Sequence, residues 1–341
     1  MEILSNTPRR LVDLPSDVPA PSVDAARAAL LVAQCPVAAA TPLVAAPALA
    51  ALAGIGILHI KDERNRMGLG SFKALGAAYV IACDAADGTA RGCTYVTASA
   101  GNHGMSVAAG AAAFGARAVV YIAETVPEAF AARLRDIGAE VRREGEFYED
   151  SMAAATCAAD TEGFALLSDS SWPGYYDRPH RLMEGYLALM DEAIRQIPQP
   201  PTHLFLQAGV GGLAGACAAL ARKAWGAAVQ IVVVEPDAAP ALYASVSAGI
   251  AMTTHGPVSA MGRLDCKEPS LIALKGLARD ADAFVLISED EGAVGAAACA
   301  AHGLSSTPSG AAGIAGLIAS AQALGLGAEA RVLCILSEGP E

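Results

Sequence analysis

Along the chain, short apolar runs alternate with longer stretches in which small and apolar residues recur at helical spacing. GILHIKD (56–62), GCTYVTAS (92–99), ARAVVYIAE (116–124), AEVRREG (139–145), THLFLQAG (202–209), VQIVVVEPD (229–237) and RVLCILSEG (331–339) read as strands, with FALLS (164–168) as a further short one. Runs such as Val-Val-Tyr-Ile lack polar alternation, which suits strands covered on both faces. Between them SFKALGAAYVIACD (71–84), GMSVAAGAAAFG (104–115), VPEAFAARLRDIG (126–138) and YEDSMAAATCAADTEG (148–163) read as helices. Such alternation predicts an α/β protein with parallel sheets flanked by helices, whose ligand groups gather at the C-terminal ends of the strands.

One stretch tests this reading. From Ala28 to His59 the sequence carries no charge, long enough to suggest a membrane span. Pro36, Pro42 and Pro47 interrupt it, so an extended segment, a short helix and a turn are expected instead. The opening MEILSNTPRRLVDLPSD shows neither the basic nor the apolar region of a signal peptide. A cytoplasmic protein without membrane partners is therefore expected.

Composition narrows the partners. The 341 residues are 54% hydrophobic, 17% charged and 5% aromatic, enough apolar material for a large core in two domains. A net charge of −12 without any basic run argues against nucleic acid. The eight cysteines form no C-x-x-C pair and sit largely in apolar runs, as buried free thiols would. No metal-ligand spacing is visible.

Three loops carry candidate chemistry. In GLGSFKALG (68–76), Ser71 is a natural N-cap and Lys73 falls in the first turn of the predicted helix. The positive end of the helix dipole and the apolar neighbours would both lower its pKa, as Schiff-base chemistry requires. In TASAGNHG (97–104) a strand turns through Ala100 and Gly101 into a helix whose free N–H groups suit a carboxylate. Simple capping of that helix by Ser99 and Asn102 is the alternative. In QAGVGGLAG (207–215) strand, glycine turn and helix are in the order that phosphate cradling needs. Gly209, Gly211 and Gly215 approach the dinucleotide fingerprint, with Glu235 about twenty residues on, so an NAD-dependent oxidoreductase competes. Read together, a lysine for an aldehyde, a carboxylate turn and a cradle for one phosphate favour pyridoxal phosphate.

GSFKALGAAY, SAGNHG, AGVGGLAG and LSEG resemble the fold type II pyridoxal-phosphate enzymes. Within that group KDERNRMGLGSFKALG, SDSSWPGYYDRPHRLMEGY, VVEPDAAPALYASV and GRLDCKEPS resemble the diaminopropionate ammonia-lyases, so the resemblance covers most of residues 41–339. It implies two domains, residues 1–90 with 196–341 as the larger and 91–195 as the smaller, and a homodimer. Lys73 would hold the cofactor covalently, with Phe72 beside it, and Gly209, Val210, Gly211, Gly212 and Leu213 would bind the phosphate. Asn102 would face the ring's phenolic oxygen and Ser337 its nitrogen. Ser99, Ala100, Gly101 and His103 would hold the substrate carboxylate. Asp169 would be the acid serving L-substrates. The chain departs from the lyases at Ala100, where enzymes acting on both enantiomers resemble one another in carrying Asp, and SAGNHG resembles serine and threonine dehydratases. The implied reaction is α,β-elimination of L-2,3-diaminopropionate to pyruvate and ammonia. L-serine or L-threonine dehydration, and a silent cofactor-binding protein, stand as alternatives.

Overall fold

The computed structural model describes residues 1–7 and 12–340; residues 8–11, within the N-terminal stretch read above for a signal peptide, lie outside the described residues. Eleven strands are described: β1 Glu2–Ser5, β2 Leu43–Ala45, β3 Ile57–Asp62, β4 Thr94–Ala98, β5 Arg117–Ile122, β6 Glu140–Arg143, β7 Ala165–Leu166, β8 His203–Gln207, β9 Gln230–Pro236, β10 Ala283–Ile287 and β11 Arg331–Leu336. They form a seven-stranded sheet in the order β1-β10-β9-β8-β11-β3-β2 and a four-stranded sheet in the order β6-β5-β4-β7.

All pairings are parallel except at the two edges of the larger sheet, where β1 runs antiparallel to β10 and β2 to β3. The connection 46–56, holding only the short helix Pro47–Leu52, leaves no room for the crossover that a parallel pair needs, so β2 folds straight back onto β3. The uncharged stretch thus resolves into the end of helix Ala25–Val32, β2, the short helix Pro47–Leu52, a turn and the start of β3. Among the described residues no helix is long and apolar enough to cross a membrane.

Helix Gly212–Trp225 follows β8, and helix Asn102–Ala113 follows β4, so both open at C-terminal strand ends. Helix Ala77–Ala86 packs on helix Asn102–Ala113 so closely that a Cβ on Gly110 would sit 3.0 Å from Ala78 Cα. The long helix Asp177–Gln196 passes beneath the Lys73 segment, where a Cβ on Gly185 would collide with the Leu75 carbonyl at 2.1 Å. Burial of Leu75, Val107, Tyr186, Leu204 and Leu213 in one apolar cluster joins both sheets through these helices.

The expected helix 71–84 is broken. Phe72–Leu75 is a 3₁₀ turn, and the α-helix starts only at Ala77. Phe72 N–H donates to the Ser337 carbonyl at 3.0 Å, so the end of β11, and no helical partner, holds this turn. Ser71 is extended and its hydroxyl caps nothing. Gly76 kinks the chain between the two helical pieces, and a Cβ there would meet the Tyr186 ring and hydroxyl at 2.8 Å.

Candidate active site

Lys73 leaves the 3₁₀ turn toward the loop after β7, and its ammonium forms an ion pair with the Asp169 carboxylate. The two side chains are 22% and 21% exposed. Phe72 meets Tyr186 edge-on, ring centroids 4.9 Å apart, and the Lys73 nitrogen lies 5.5 Å from the Phe72 centroid. Burial alone would depress the amine, but the neighbouring Asp169 charge outweighs it and holds the ammonium well above the ordinary lysine range. This corrects the expectation of a neutral lysine: the dipole belongs to a helix that begins after Lys73, and an anion separated from it by most of a hundred residues dominates. Asp169 mirrors it. Burial pushes the carboxyl up, while the Lys73 charge and its hydrogen bond draw it well below the usual carboxylate range.

The Asp169 loop is rigid by construction. The Tyr175 hydroxyl accepts from the Ser168 N–H at 3.1 Å and donates to the Leu166 carbonyl at 2.8 Å, and its ring stacks on Trp172 at 4.4 Å. Ser171 and Ser270 share a hydroxyl–hydroxyl bond of 2.7 Å, which ties the loop to the start of helix Leu271–Asp280. The SDSSWPGY segment is therefore a brace that aims Asp169.

Around β4 the turn has the expected form. Gly101 is the N-cap of helix Asn102–Ala113 and has no side chain to cap it, and Asn102 turns its amide away to Glu338. The Ser99 hydroxyl accepts from the Gly101 N–H at 3.3 Å, and Ala100 is half-buried beside it. His103 is buried, with Nε2 2.8 Å from the Leu167 carbonyl and Nδ1 without a partner. Burial lowers its pKa, so the ring is a neutral tautomer donating from Nε2. Asn102 turns its amide to Glu338, which receives its N–H at 2.5 Å.

After β8, residues 209–211 form a tight turn, with Gly211 at φ 97°, a left-handed conformation that glycine adopts without strain. No side chain caps helix Gly212–Trp225, leaving its first N–H groups open. Side chains could not fit: a Cβ on Gly209 would meet the Cys266 sulfur at 2.9 Å, and one on Gly211 would meet Ala273 and Leu242 at 3.0 Å. Gly212 faces the other loops, its Cβ direction 3.7 Å from the Tyr186 ring and 3.9 Å from the Asp169 carbonyl. Val210 accepts from the Ser270 N–H at 3.0 Å and Leu213 lies buried in the first helical turn. Ser337, at the tip of β11, is buried directly beside the lysine turn.

The three sequence motifs and Asp169 are thus brought together at one end of the two sheets. Four residues that sequence reasoning passed over join them. Tyr186 forms a floor between the lysine turn and the glycine turn, with its hydroxyl buried and unpartnered. Cys266 lies against Gly209, and burial raises its thiol to about 12. Arg263 and Glu338 line a cleft of about 350 Å³ with Arg64, Asn102 and Arg133. A second cleft, of about 530 Å³, opens on Ala100, Gly101 and Phe130 opposite Gly262 and Ser306. All four lie inside stretches already quoted, and Glu338, in LSEG, left the plainest signal: a charge directly after a buried strand.

Glu235 bears on the competing dinucleotide reading. Both its oxygens are spent on the N–H groups of Leu242 and Tyr243, at 2.8 and 2.7 Å, and the residue is buried. It caps the next helix and has no face left for a ribose. Pyridoxal phosphate, by contrast, fits what is present: a cradle that side chains would fill, an uncapped helix start, a lysine, and orphaned polar atoms on Tyr186, His103 and Ser71. Among the described residues no group of His, Cys, Asp and Glu could hold a metal ion.

The diaminopropionate ammonia-lyase of Salmonella typhimurium is 36% identical over 69% of this chain and 65% of its own length, so the match spans just under two thirds of that relative. The L-threonine ammonia-lyase of Geobacter sulfurreducens is 28% identical over 69% of this chain and 55% of its own length. The crystal structure of diaminopropionate ammonia lyase from Escherichia coli, in complex with an aminoacrylate-PLP azomethine reaction intermediate, superposes with a TM-score of 0.88 at 28% identity, covering 99% of this chain and 93% of that one. The family model described as "Pyridoxal-phosphate dependent enzyme" matches residues 36–338, and to that family the chain belongs.

Proposed function

We propose that the protein is a pyridoxal-phosphate-dependent ammonia-lyase that eliminates the β-amino group of L-2,3-diaminopropionate, giving pyruvate and ammonia. The observation that carries this reading is the Lys73–Asp169 pair. In the cofactor-free chain the two are an ion pair. With the cofactor holding the substrate amine, Lys73 would be free as a neutral amine, a base for the Cα proton, and Asp169 beside it would pass a proton to the leaving amine. Both are needed in one turnover.

When bound, the cofactor supplies an aldehyde for the substrate amine and an electron sink for the carbon that loses its proton. Lys73 Nζ takes the Cα proton, and Asp169 gives a proton to the departing β-nitrogen as the Cβ–N bond breaks. With one water the carbon skeleton leaves as pyruvate and both nitrogens as ammonia. The Gly209–Leu213 N–H groups hold the phosphate at a helix start. Ser99, Ala100, Gly101 and His103 would orient the substrate carboxylate, and Asn102 and the neutral Ser337 hydroxyl would help to hold the cofactor ring, at its phenolic oxygen and its nitrogen. The smaller unit, residues 91–195, carries the Asn102 turn against the larger, residues 1–90 and 196–341, and its closure excludes water. We assign the protein to the cytoplasm as a homodimer.

Dehydration of L-serine or L-threonine is the second reading, favoured by Ala100. A methyl group there supplies no second acid to the carboxylate turn, and the same Asp169 proton would serve a leaving hydroxide. Keto-acid release decides the matter, measured at equal concentrations of L- and D-2,3-diaminopropionate, L-serine and L-threonine. The L-diamino acid should react fastest and the D-isomer slowly. A hydroxy amino acid ahead of it would replace the first reading by the second.

A further inference from the structure

Glu338 follows β11 directly and is only 4% exposed. Its oxygens are divided between partners: Oε1 accepts from the Thr307 hydroxyl, while Oε2 accepts from the Asn102 amide at 2.5 Å and lies 2.9 Å from Arg263 Nε. Its backbone bridges to Ser71, two residues before Lys73, and its carbonyl accepts from the Ser306 hydroxyl at 2.6 Å. One residue therefore touches the lysine turn, the Asn102 turn and the wall of the cleft. The Asn102 contact also joins a helix of the smaller sheet to a strand end of the larger.

The chemistry of that contact is directional. An amide is nearly symmetrical in shape, and rotating it by half a turn exchanges an oxygen that accepts for a nitrogen that donates twice. A carboxylate only accepts, so Glu338 admits one of the two orientations. Charge-assisted bonds of this kind are about twice as strong as neutral ones, which makes the selection firm. A glutamine there would accept or donate and select neither.

We infer that Glu338 is a positioning residue for Asn102, locking the amide so that its second N–H is offered to the ring oxygen of the cofactor. The inference rests on the pyridoxal-phosphate reading of the site and names a residue through which that reading acts. It assigns the Glu338 charge a task distinct from its pairing with Arg263 and Thr307, because the Asn102 contact, unlike those two, reaches the opposite sheet.

The test is a double-mutant cycle read on cofactor binding. Cofactor-free native protein, E338Q, N102A and the double variant are titrated with pyridoxal 5′-phosphate. The visible band of the bound cofactor gives the affinity, and its change with pH is recorded for each. E338Q should weaken binding about tenfold and move the pH at which the band changes. In the N102A background the same substitution should matter less than about twofold, because the group it positions is gone. Losses that add in full across the two backgrounds, or an unmoved pH profile in E338Q, would overturn the inference. Should E338Q fail to fold, E338D keeps the charge but is one methylene too short for Asn102 and must show the same non-additivity. A native protein that gains no visible band at all would instead sink the cofactor reading itself.

Discussion

Two lysines, twelve positions apart in one segment, show how differently a buried ammonium can be used. Lys61, within β3, is fully buried and gives its N–H groups to the Thr41 carbonyl at 2.7 Å, Glu192 at 2.7 Å and Gln196 at 2.9 Å. Beside it Arg66 binds Glu63 and Glu192 through a fork of contacts between 2.7 and 2.9 Å. Lys73 has one anionic partner and is about a fifth exposed, with unpartnered Tyr186 and His103 atoms nearby. Burial pulls Lys61 down, and Asp169 lifts Lys73. Saturated hydrogen bonding fixes a side chain in place, whereas a half-satisfied pair leaves room for chemistry. The contrast separates scaffold from site more reliably than burial does.

The strongest blow to that contrast falls on Lys73 itself. Lys73→Ala should abolish the visible band of the bound cofactor and lower turnover by roughly 10⁴-fold or more. Surviving turnover would put the chemistry on another lysine. Lys61→Met should leave the band intact and lower stability by about 3–5 kcal/mol in denaturant unfolding, since it strips one partner from a buried charge network. A large loss of activity at full stability would break the division of labour. Asp169→Asn should reduce turnover about 10²-fold while keeping the cofactor bound.

The same Asp169→Asn variant carries a pH signature. The native carboxyl titrates below its unfolded value, so its contribution is present above about pH 4 and is lost as pH falls further. The ammonium titrates above its unfolded value, so its contribution holds through neutral pH and is lost only in strong alkali. Cofactor-free native protein should therefore lose stability below pH 4 more steeply than Asp169→Asn, as thermal melts across the acid range would register. The smallest effect is expected from Tyr186→Phe. Removing an orphaned buried hydroxyl should raise the stability of the cofactor-free protein by about 1 kcal/mol. A loss instead would mean that the hydroxyl has a partner.

Much of this was legible in the sequence because it is local. Continuous apolar runs announced the inner strands, and the glycine turns after β4 and β8 announced the helix starts behind them, whereas the one before Lys73 led into a 3₁₀ turn. What stayed hidden depends on separation along the chain. AFVLI, which becomes β10, is a short apolar run that periodicity alone does not separate from a buried helix segment. The neutral-lysine expectation failed because the partner of Lys73 stands 96 residues away. Glu338 and Asn102 are separated by 236. Nothing local in KDERNR marks Lys61 and Arg66 as interior, and helix Asp177–Gln196, crossing behind them, turns them into a buried network through Glu192.

The position of β11 in the sheet has a bearing on the order of assembly. It lies between β8 and β3, near the middle of the seven strands, and its far end holds the lysine turn through Phe72–Ser337 and Gly339–Gly70 backbone bonds. A ribosome delivers residues 331–339 some 260 positions after Lys73 at roughly 5–20 residues per second, so the growing chain carries an unfinished sheet for tens of seconds. Until that strand emerges, the two halves of the larger sheet have nothing between them, and the turn that carries the reactive amine has no partner to dock on. The site is therefore completed only after some 260 further residues have followed Lys73.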